Sequence, residues 1–308
     1  MEQRKCAVLT GRGDESMKKK RKSEGQFWSY FILTIVALFA IIPFLVVISS
    51  SFSTEQRIVT EGYSLLPKGF SLEAYKYLFS NGEVILNAYL VTIFVTVVGV
   101  LVSLFLTSTT AYVISRDYLL GNKMFMFLVV FTMLFNGSLV PTYYIYTQVL
   151  HIKDTIFALI VPNLLLSAFN IIIMSNYFKN DISKSIIEAA VLDGAGEITI
   201  FFKLIIPLST PILATVALMT AIGYWNDWQN ALYYLSTPEL NTIQQVLRLM
   251  DANMSYISNV GGGGIDRALP VTTIRMAIAV ITAVPLIGVY PFFHKYFKKG
   301  ITLGATKE

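Results

Sequence analysis

Tyr224, Trp225, Asn226, Asp227 and Trp228 place a phenol, two indoles, an amide and a carboxylate in five consecutive positions. Aromatic faces stack on apolar ring faces, and planar amides and carboxylates accept or donate hydrogen bonds in a fixed plane. Together these groups could hold a sugar. The same residues also suit an aromatic belt at a membrane surface, where amphipathic rings settle at headgroup depth. Five further polar side chains, Asn87, Asn136, Asn163, Asn170 and Arg275, lie within or at the ends of apolar runs. In hydrocarbon such groups face a bundle interior, a cavity or a neighbouring helix. The asparagines suit hydrogen bonds between helices. Arg275, about one turn into its run, could line a path or snorkel to the surface.

No catalytic or metal-binding set accompanies them. His151 and His294 stand far apart and near the ends of apolar runs, and the single cysteine, Cys6, lies in a hydrophilic tail. Membrane-embedded Asp pairs, His clusters and Ser/Lys dyads are missing from the sequence. So is the G-x-x-x-x-G-K-[ST] signature of a phosphate-cradling loop: "GGGGIDR", beginning at Gly261, lacks its lysine and its strand and helix context. These residues predict a chain that is not an enzyme and that binds no metal or cofactor of its own.

The elements that must position such residues are membrane spans. Of 308 residues, 55% are hydrophobic and only 14% charged, against a soluble norm of about 25% charged. Six apolar runs approach the ~20 residues a spanning helix needs: 27–52, 84–115, 124–146, 155–178, 208–224 and 271–293. The fold expected is all-α and integral to the membrane, with six spans. Pro43, Pro141 and Pro162 fall inside runs, where lipid-embedded helices tolerate proline. The first run, preceded by "KKKRK", is too long for the apolar stretch of a signal peptide and predicts a retained anchor. Lys and Arg stay on the cytoplasmic side. The N-terminal tail, the loops holding Arg116 and Lys123 and then Lys179, Lys184 and Lys203, and the C-terminal end together hold 17 of the 24. Both termini are therefore expected in the cytoplasm, and the net charge of +5 reads as membrane orientation with no nucleic-acid partner.

This topology puts "SIIEAAVLDGAGEITIFFKLIIPLSTP", Ser185 to Pro211, in a cytoplasmic loop. Ile182, Ile186, Ala189, Ala190 and Val191 approach helical spacing. Gly194 and Gly196 would stop that helix, and Pro211 suits the first turn of the next span. The loop predicts helix, glycine elbow, helix, then membrane.

Glu188-Ala189-Ala190, three residues, Gly194, nine residues, then Leu204, Ile206 and Pro207 resembles the EAA loop of ABC-importer permeases, with Leu for the usual Ile and Ile for the usual Leu. "LLPKGFSLEAYKYLF", "NGSLVPTYYIYTQVLHIKDTIFALIVPN", "YWNDWQNALYYL" and "YPFFHKYFKKGITLGATKE" are similar to the MalG-like subunits of carbohydrate importers, the LplC-like group in particular. The likeness runs from about residue 27 to the end. It implies the type I importer fold, with a five-helix core over 84–293, a coupling loop at 180–207 and a cytoplasmic tail at 294–308. It further implies that Glu188, Ala189, Ala190, Asp193, Gly194 and Pro207 couple the chain to a separate ATPase dimer that holds ATP and Mg. A second homologous permease and an extracytoplasmic solute-binding protein, either a lipoprotein or periplasmic, would complete the assembly. The path for sugar or oligosaccharide would draw on Asn136, Tyr224 to Trp228 and Arg275, and the C-terminal tail would reach into the ATPase dimer. A permease of the same fold for peptides or amino acids, and a non-transport scaffold, are the alternatives.

Overall fold

The computed structural model describes residues 28–80, 82–116, 121–135, 137–260 and 270–304. Asn136, Arg267 and the segments 1–27 and 305–308, all of which bear on the expectations above, lie outside the described residues. The chain divides into two compact units, Met1–Tyr75 with Pro270–Val280, and Lys76–Leu269 with Ile281–Glu308.

In the first unit, helix α1 (Trp28–Ser51) is apolar over most of its length, and none of its most apolar window is buried within the chain. Phe39 and Tyr30 are about 70% exposed. So much apolar surface is stable only against lipid or another helix. α2 (Glu55–Glu61) follows and ends at Gly62, whose φ of 75° lies in the left-handed region. Phe52 then stacks on Phe70 and on Tyr75 at 6.0 and 4.9 Å, folding the loop back. The Glu55 carboxylate accepts the backbone N–H groups of Thr272 and Thr273, both at 2.8 Å. Those donors belong to the unpaired first turn of α15 (Val271–Gly304), where an anion is favoured.

The second unit is organised on α4 (Gly82–Ser115), about 51 Å long at the helical rise. α3 (Glu73–Ser80) precedes it. Its buried residues form one stripe of mostly small side chains, among them Ala88, Thr92, Gly99, Ser103, Thr107 and Ala111. Leu86, Leu90, Phe94, Leu101 and Phe105 stand exposed around the rest. This reverses the soluble pattern. With lipid outside there is no hydrophobic drive between helices, so small residues that permit close backbone approach mark the packed face. α4 packs most extensively against α8 (Ala168–Asn180) and α12 (Thr210–Trp225). At Gly99 the approach is tight enough that an added Cβ would lie 2.4 Å from Cζ of Tyr224. The Tyr224 hydroxyl donates to the carbonyl of Ile160 at 2.8 Å.

The remaining expected spans are broken. α5 (Asn122–Leu134) and the segment Leu139–Val149, which is α6 (Leu139–Tyr144) plus a π turn, meet at 111°. The segment Glu197–Leu208, comprising α10 (Glu197–Ile200), a π turn and α11 (Ile206–Leu208), meets α12 at 80°. Pro211 sits in the first turn of α12, as its spacing predicts. The fourth expected span, 155–178, is corrected: α7 (Phe157–Ile160) stops before Pro162, Asn163 takes a φ of 63°, and helix resumes only at Ala168. Proline has no N–H and clashes with the preceding turn, so here it breaks the helix outright. α8 alone is 13 residues, about 20 Å, short of the ~30 Å hydrocarbon core. Among the described residues three helices are long and apolar enough to cross a membrane, or up to five with each bent pair taken as one span. α15 begins where the sixth span was expected and continues to Gly304, beyond the expected start of the tail. Two short elements, α13 (Gln229–Tyr234) and a 3-10 turn (Pro238–Leu240), lead to α14 (Ile243–Val260).

Gly99→Val should lower the melting temperature in detergent more than Tyr224→Phe does. The first overpacks the α4–α12 contact, at a cost of about 1–3 kcal/mol, and the second removes one hydrogen bond. Equal melting temperatures for Gly99→Val and wild type would contradict the close approach.

Candidate functional site

Most of the residues singled out from the sequence lie in the second unit, apart from Arg275, which lies in the first. At the Ser115 end of α4, Ile182 is buried ahead of α9 (Lys184–Leu192). Ile187 and Ala190 pack half-buried against a core built from Ala111, Met174, Phe178, Ile200 and Ile205. Ile186 and Val191, two of the residues at near-helical spacing, point outward at 44% and 52% exposure, and Leu192 reaches 87%. α9 thus has apolar residues on two faces, and its own bundle uses only one. Glu188, Ala189 and Asp193 are exposed beside them, and Ala190 is half-buried.

The turn that ends α9 is a double-bonded glycine cap. Gly194, at φ 81°, donates to the carbonyl of Val191, and Ala195 donates to that of Ala190, both at 3.0 Å. This is the Schellman arrangement, which satisfies carbonyls the helix end would orphan. No atom would obstruct a Cβ at Gly194, so backbone conformation alone selects glycine there. Gly196 has a different job from the one its spacing suggested: with φ −73° and ψ 159° it precedes α10 and starts the next helix. Pro207 is exposed in α11, and its carbonyl accepts the Thr210 hydroxyl at 2.7 Å.

Beside α9 lies an open cavity of about 670 Å³, lined by Arg116, Phe178, Ile187, Glu188, Leu192 and Glu197 among others. Sequence reasoning used Arg116 only as a marker of orientation. The structure buries it, with its guanidinium carbon 4.3 Å from the centre of the Tyr112 ring. The i, i+4 spacing of Tyr112 and Arg116 was the available signal.

At the other end, the five-residue cluster separates by role. Tyr224 is 1% exposed, with its hydroxyl used on Ile160, and it serves packing. Trp225 donates its indole N–H to the carbonyl of Thr282 at 3.3 Å and lines a cavity of about 400 Å³ with Thr96, Leu218, Ile222, Pro285 and Leu286. The exposed Asn226 accepts from Gln244 at 3.2 Å. Asp227 accepts the N–H groups of Gln229 and Asn230 at 3.1 and 3.2 Å, capping the start of α13. Burial nevertheless pushes its carboxyl above the usual carboxylate range, against the pull of those donors. Trp228 lies under the guanidinium of Arg248, 4.2 Å from ring centre to carbon, a cation–π contact. Asp154, at φ 54°, accepts from the N–H groups of Ser236 and Thr237, which hold its carboxyl below the usual range. Arg275 is exposed on α15 in the first unit. Two of the four asparagines act as ties between elements: Asn170 donates to Thr220 at 3.4 Å, and Asn87 to the carbonyl of Glu239 at 2.6 Å. Asn163 lines a further cavity of about 540 Å³ with Tyr146 and Phe169.

No protein-family model matches the chain. It is similar to the polygalacturonan/rhamnogalacturonan transport system permease protein YtcP of Bacillus subtilis, 42% identical over 282 residues that cover 90% of this chain and 96% of the relative. The protein LplC of the same organism is 38% identical, covering 88% of this chain and 91% of its own. Among solved structures, a chain of a bacterial ABC transporter involved in the import of the acidic polysaccharide alginate superposes with a TM-score of 0.74 at 33% identity, over 87% of this chain and 95% of that one.

Because burial holds the folded pKa of Asp227 above its unfolded value, its contribution to stability is full below the unfolded value and is lost as pH rises through the folded one. Asp227→Asn keeps an acceptor for α13 without the charge. It should match or exceed wild-type thermostability at pH 7, with the gap closing as pH falls toward 4; a variant less stable than wild type at pH 7 would contradict this.

Proposed function

The chain belongs to the permease subunits of carbohydrate-importing ABC transporters, and on that premise we propose that α9 is its coupling helix and that the outward face of α9 docks on the ATPase. As such a permease it is a cell-membrane component of a binding-protein-dependent importer, in a system that includes an ATPase and a binding protein. The observation that carries the coupling reading is Leu192, 87% exposed at the end of a helix whose other apolar face is already packed. A large apolar side chain held out by a rigid glycine cap, with Glu188 and Asp193 beside it, suits insertion into a partner's cleft.

On this reading the Ser115 end of α4 is cytoplasmic, both termini lie on that side, and ATP with Mg is held by the ATPase. Closure of two ATPase copies would displace α9, and the binding energy that favours one arrangement of the spans over the other would drive alternating access. A second homologous permease would complete the path, consistent with the lipid-grade apolar surface on α1 and α4. Trp225, Trp228 with Arg248, Asn226 and Arg275 are the path and entrance residues proposed, and Tyr224 supports them by packing.

The cargo proposed is an oligosaccharide that contains uronic acids, delivered by an extracytoplasmic binding protein. Two of the similar proteins belong to transporters for such polysaccharides, polygalacturonan/rhamnogalacturonan and alginate, and Arg248 on Trp228 offers a cation beside a stacking face. Uptake competition separates the possibilities. Galacturonate oligomers should compete with the cargo, whereas neutral oligosaccharides and peptides should not; competition by peptides alone would overturn the carbohydrate assignment.

Glu188→Lys and Gly194→Asp test the coupling reading. The first reverses a charge at the docking face, and the second puts a side chain with a negative charge at the left-handed position that glycine fills at no steric cost. Each should leave the chain in the membrane but cut uptake by about 10-fold or more, since a coupling free energy of 1–3 kcal/mol spans that range. Wild-type uptake in both variants would overturn the reading.

A further inference from the structure

Arg116 is the one charged side chain among the described buried residues, at 8% exposure, and neither the docking face nor the path makes use of it. Its Nη2 donates to the Tyr112 hydroxyl at 2.5 Å, and that hydroxyl in turn donates to Oε2 of Glu197, which lies 4.0 Å from the guanidinium. The Nε of Arg116 is buried with no hydrogen-bond partner among the described residues, so the cation depends on its Tyr112 and Glu197 contacts. The Tyr112 ring meets Phe201 at 5.1 Å, one turn beyond Glu197. Three links therefore join the end of α4 to the segment just past the Gly194 cap. By contrast α9 touches the core through Ile187 and Ala190 and otherwise borders an open cavity.

We propose that Arg116, Tyr112 and Glu197 are positioning residues that form a charge-anchored clasp, and that displacement of the loop reaches α4 through this clasp. The inference rests on the coupling reading above. Arg116 is buried and Glu197 about half exposed, 4.0 Å apart and bridged by the Tyr112 hydroxyl. Loss of Glu197 would leave the buried guanidinium with Tyr112 alone, so the two are held to move together. α4 is a single uninterrupted helix of 34 residues, and it carries that movement along its length to Gly99, where it packs under Tyr224 of α12. A purely local stabilising role would show itself in assembly, whereas a clasp shows itself in the ratio of transport to hydrolysis.

The test uses the full transporter, with its ATPase and binding protein, in liposomes. Glu197→Gln keeps the shape and an acceptor but removes the charge; Tyr112→Phe removes only the relay hydroxyl. Both should retain the ATPase on co-purification while uptake per ATP hydrolysed falls about 5-fold or more, the lower end of measured coupling effects. An unchanged ratio in both variants overturns the clasp, as does loss of uptake strictly in proportion to loss of bound ATPase. Glu188→Lys and Gly194→Asp are run in parallel. If they abolish uptake while the clasp variants behave as wild type, only the clasp fails; if all four are inert, the coupling reading itself fails.

Discussion

The close approach of α4 and α12 at Gly99 governs the second unit. With a side chain at that position, the Tyr224 ring could not lie against the α4 backbone and send its hydroxyl to Ile160 as it does. That hydroxyl ties α12 to the carbonyl end of α7, just ahead of the break at Pro162. Asn230 ties α13 to the carbonyl of Pro162 at 3.1 Å, so the broken segment is fastened from two sides. In hydrocarbon an unpaired carbonyl has no water to turn to. The interruption of the fourth expected span persists because polar side chains of α12 and α13 satisfy it.

The same economy appears at the Ser115 end. A helix that must meet a partner cannot bury all its apolar residues in its own bundle, and α9 divides them: Ile187 and Ala190 inward, Ile186, Val191 and Leu192 outward. The Gly194 cap sets the direction of the chain, and the Arg116 to Glu197 contacts fix the segment that follows. On the reading proposed, this leaves a rigid projection whose root lies in α4 and whose tip is apolar.

Some of this was legible in the residues. The spacing from Glu188 through Gly194 to Pro207 located the loop, and the positive φ at Gly194 is the physical need behind its glycine. Pro211 marked the start of α12 correctly. The apolar residues of α9 lie on more than one face, Ile187 and Ala190 packed and Ile186, Val191 and Leu192 exposed, so no single periodicity describes them. Continuous runs were read as continuous spans, but hydropathy is blind to a kink: 155–178 and 124–146 are apolar enough and still break, the first at Pro162 and the second into Asn122–Leu134 and Leu139–Val149. Tyr224 stood in a cluster that suits sugars, and only its depth and its bond to Ile160 separate it from Trp225 and Trp228. Arg116 was hidden for the opposite reason. A basic residue after an apolar run looks like a topology marker, and one of its contacts, Glu197, lies more than 80 residues away.

The most direct measurement is a cross-link from a cysteine placed at Leu192 to the ATPase in the assembled transporter, followed through the nucleotide cycle. The account predicts a link to the ATPase whose yield changes between the nucleotide-free and ATP-bound states. A cysteine at Leu192 that reacts freely with a soluble thiol reagent in every state, and never links to the ATPase, would contradict it.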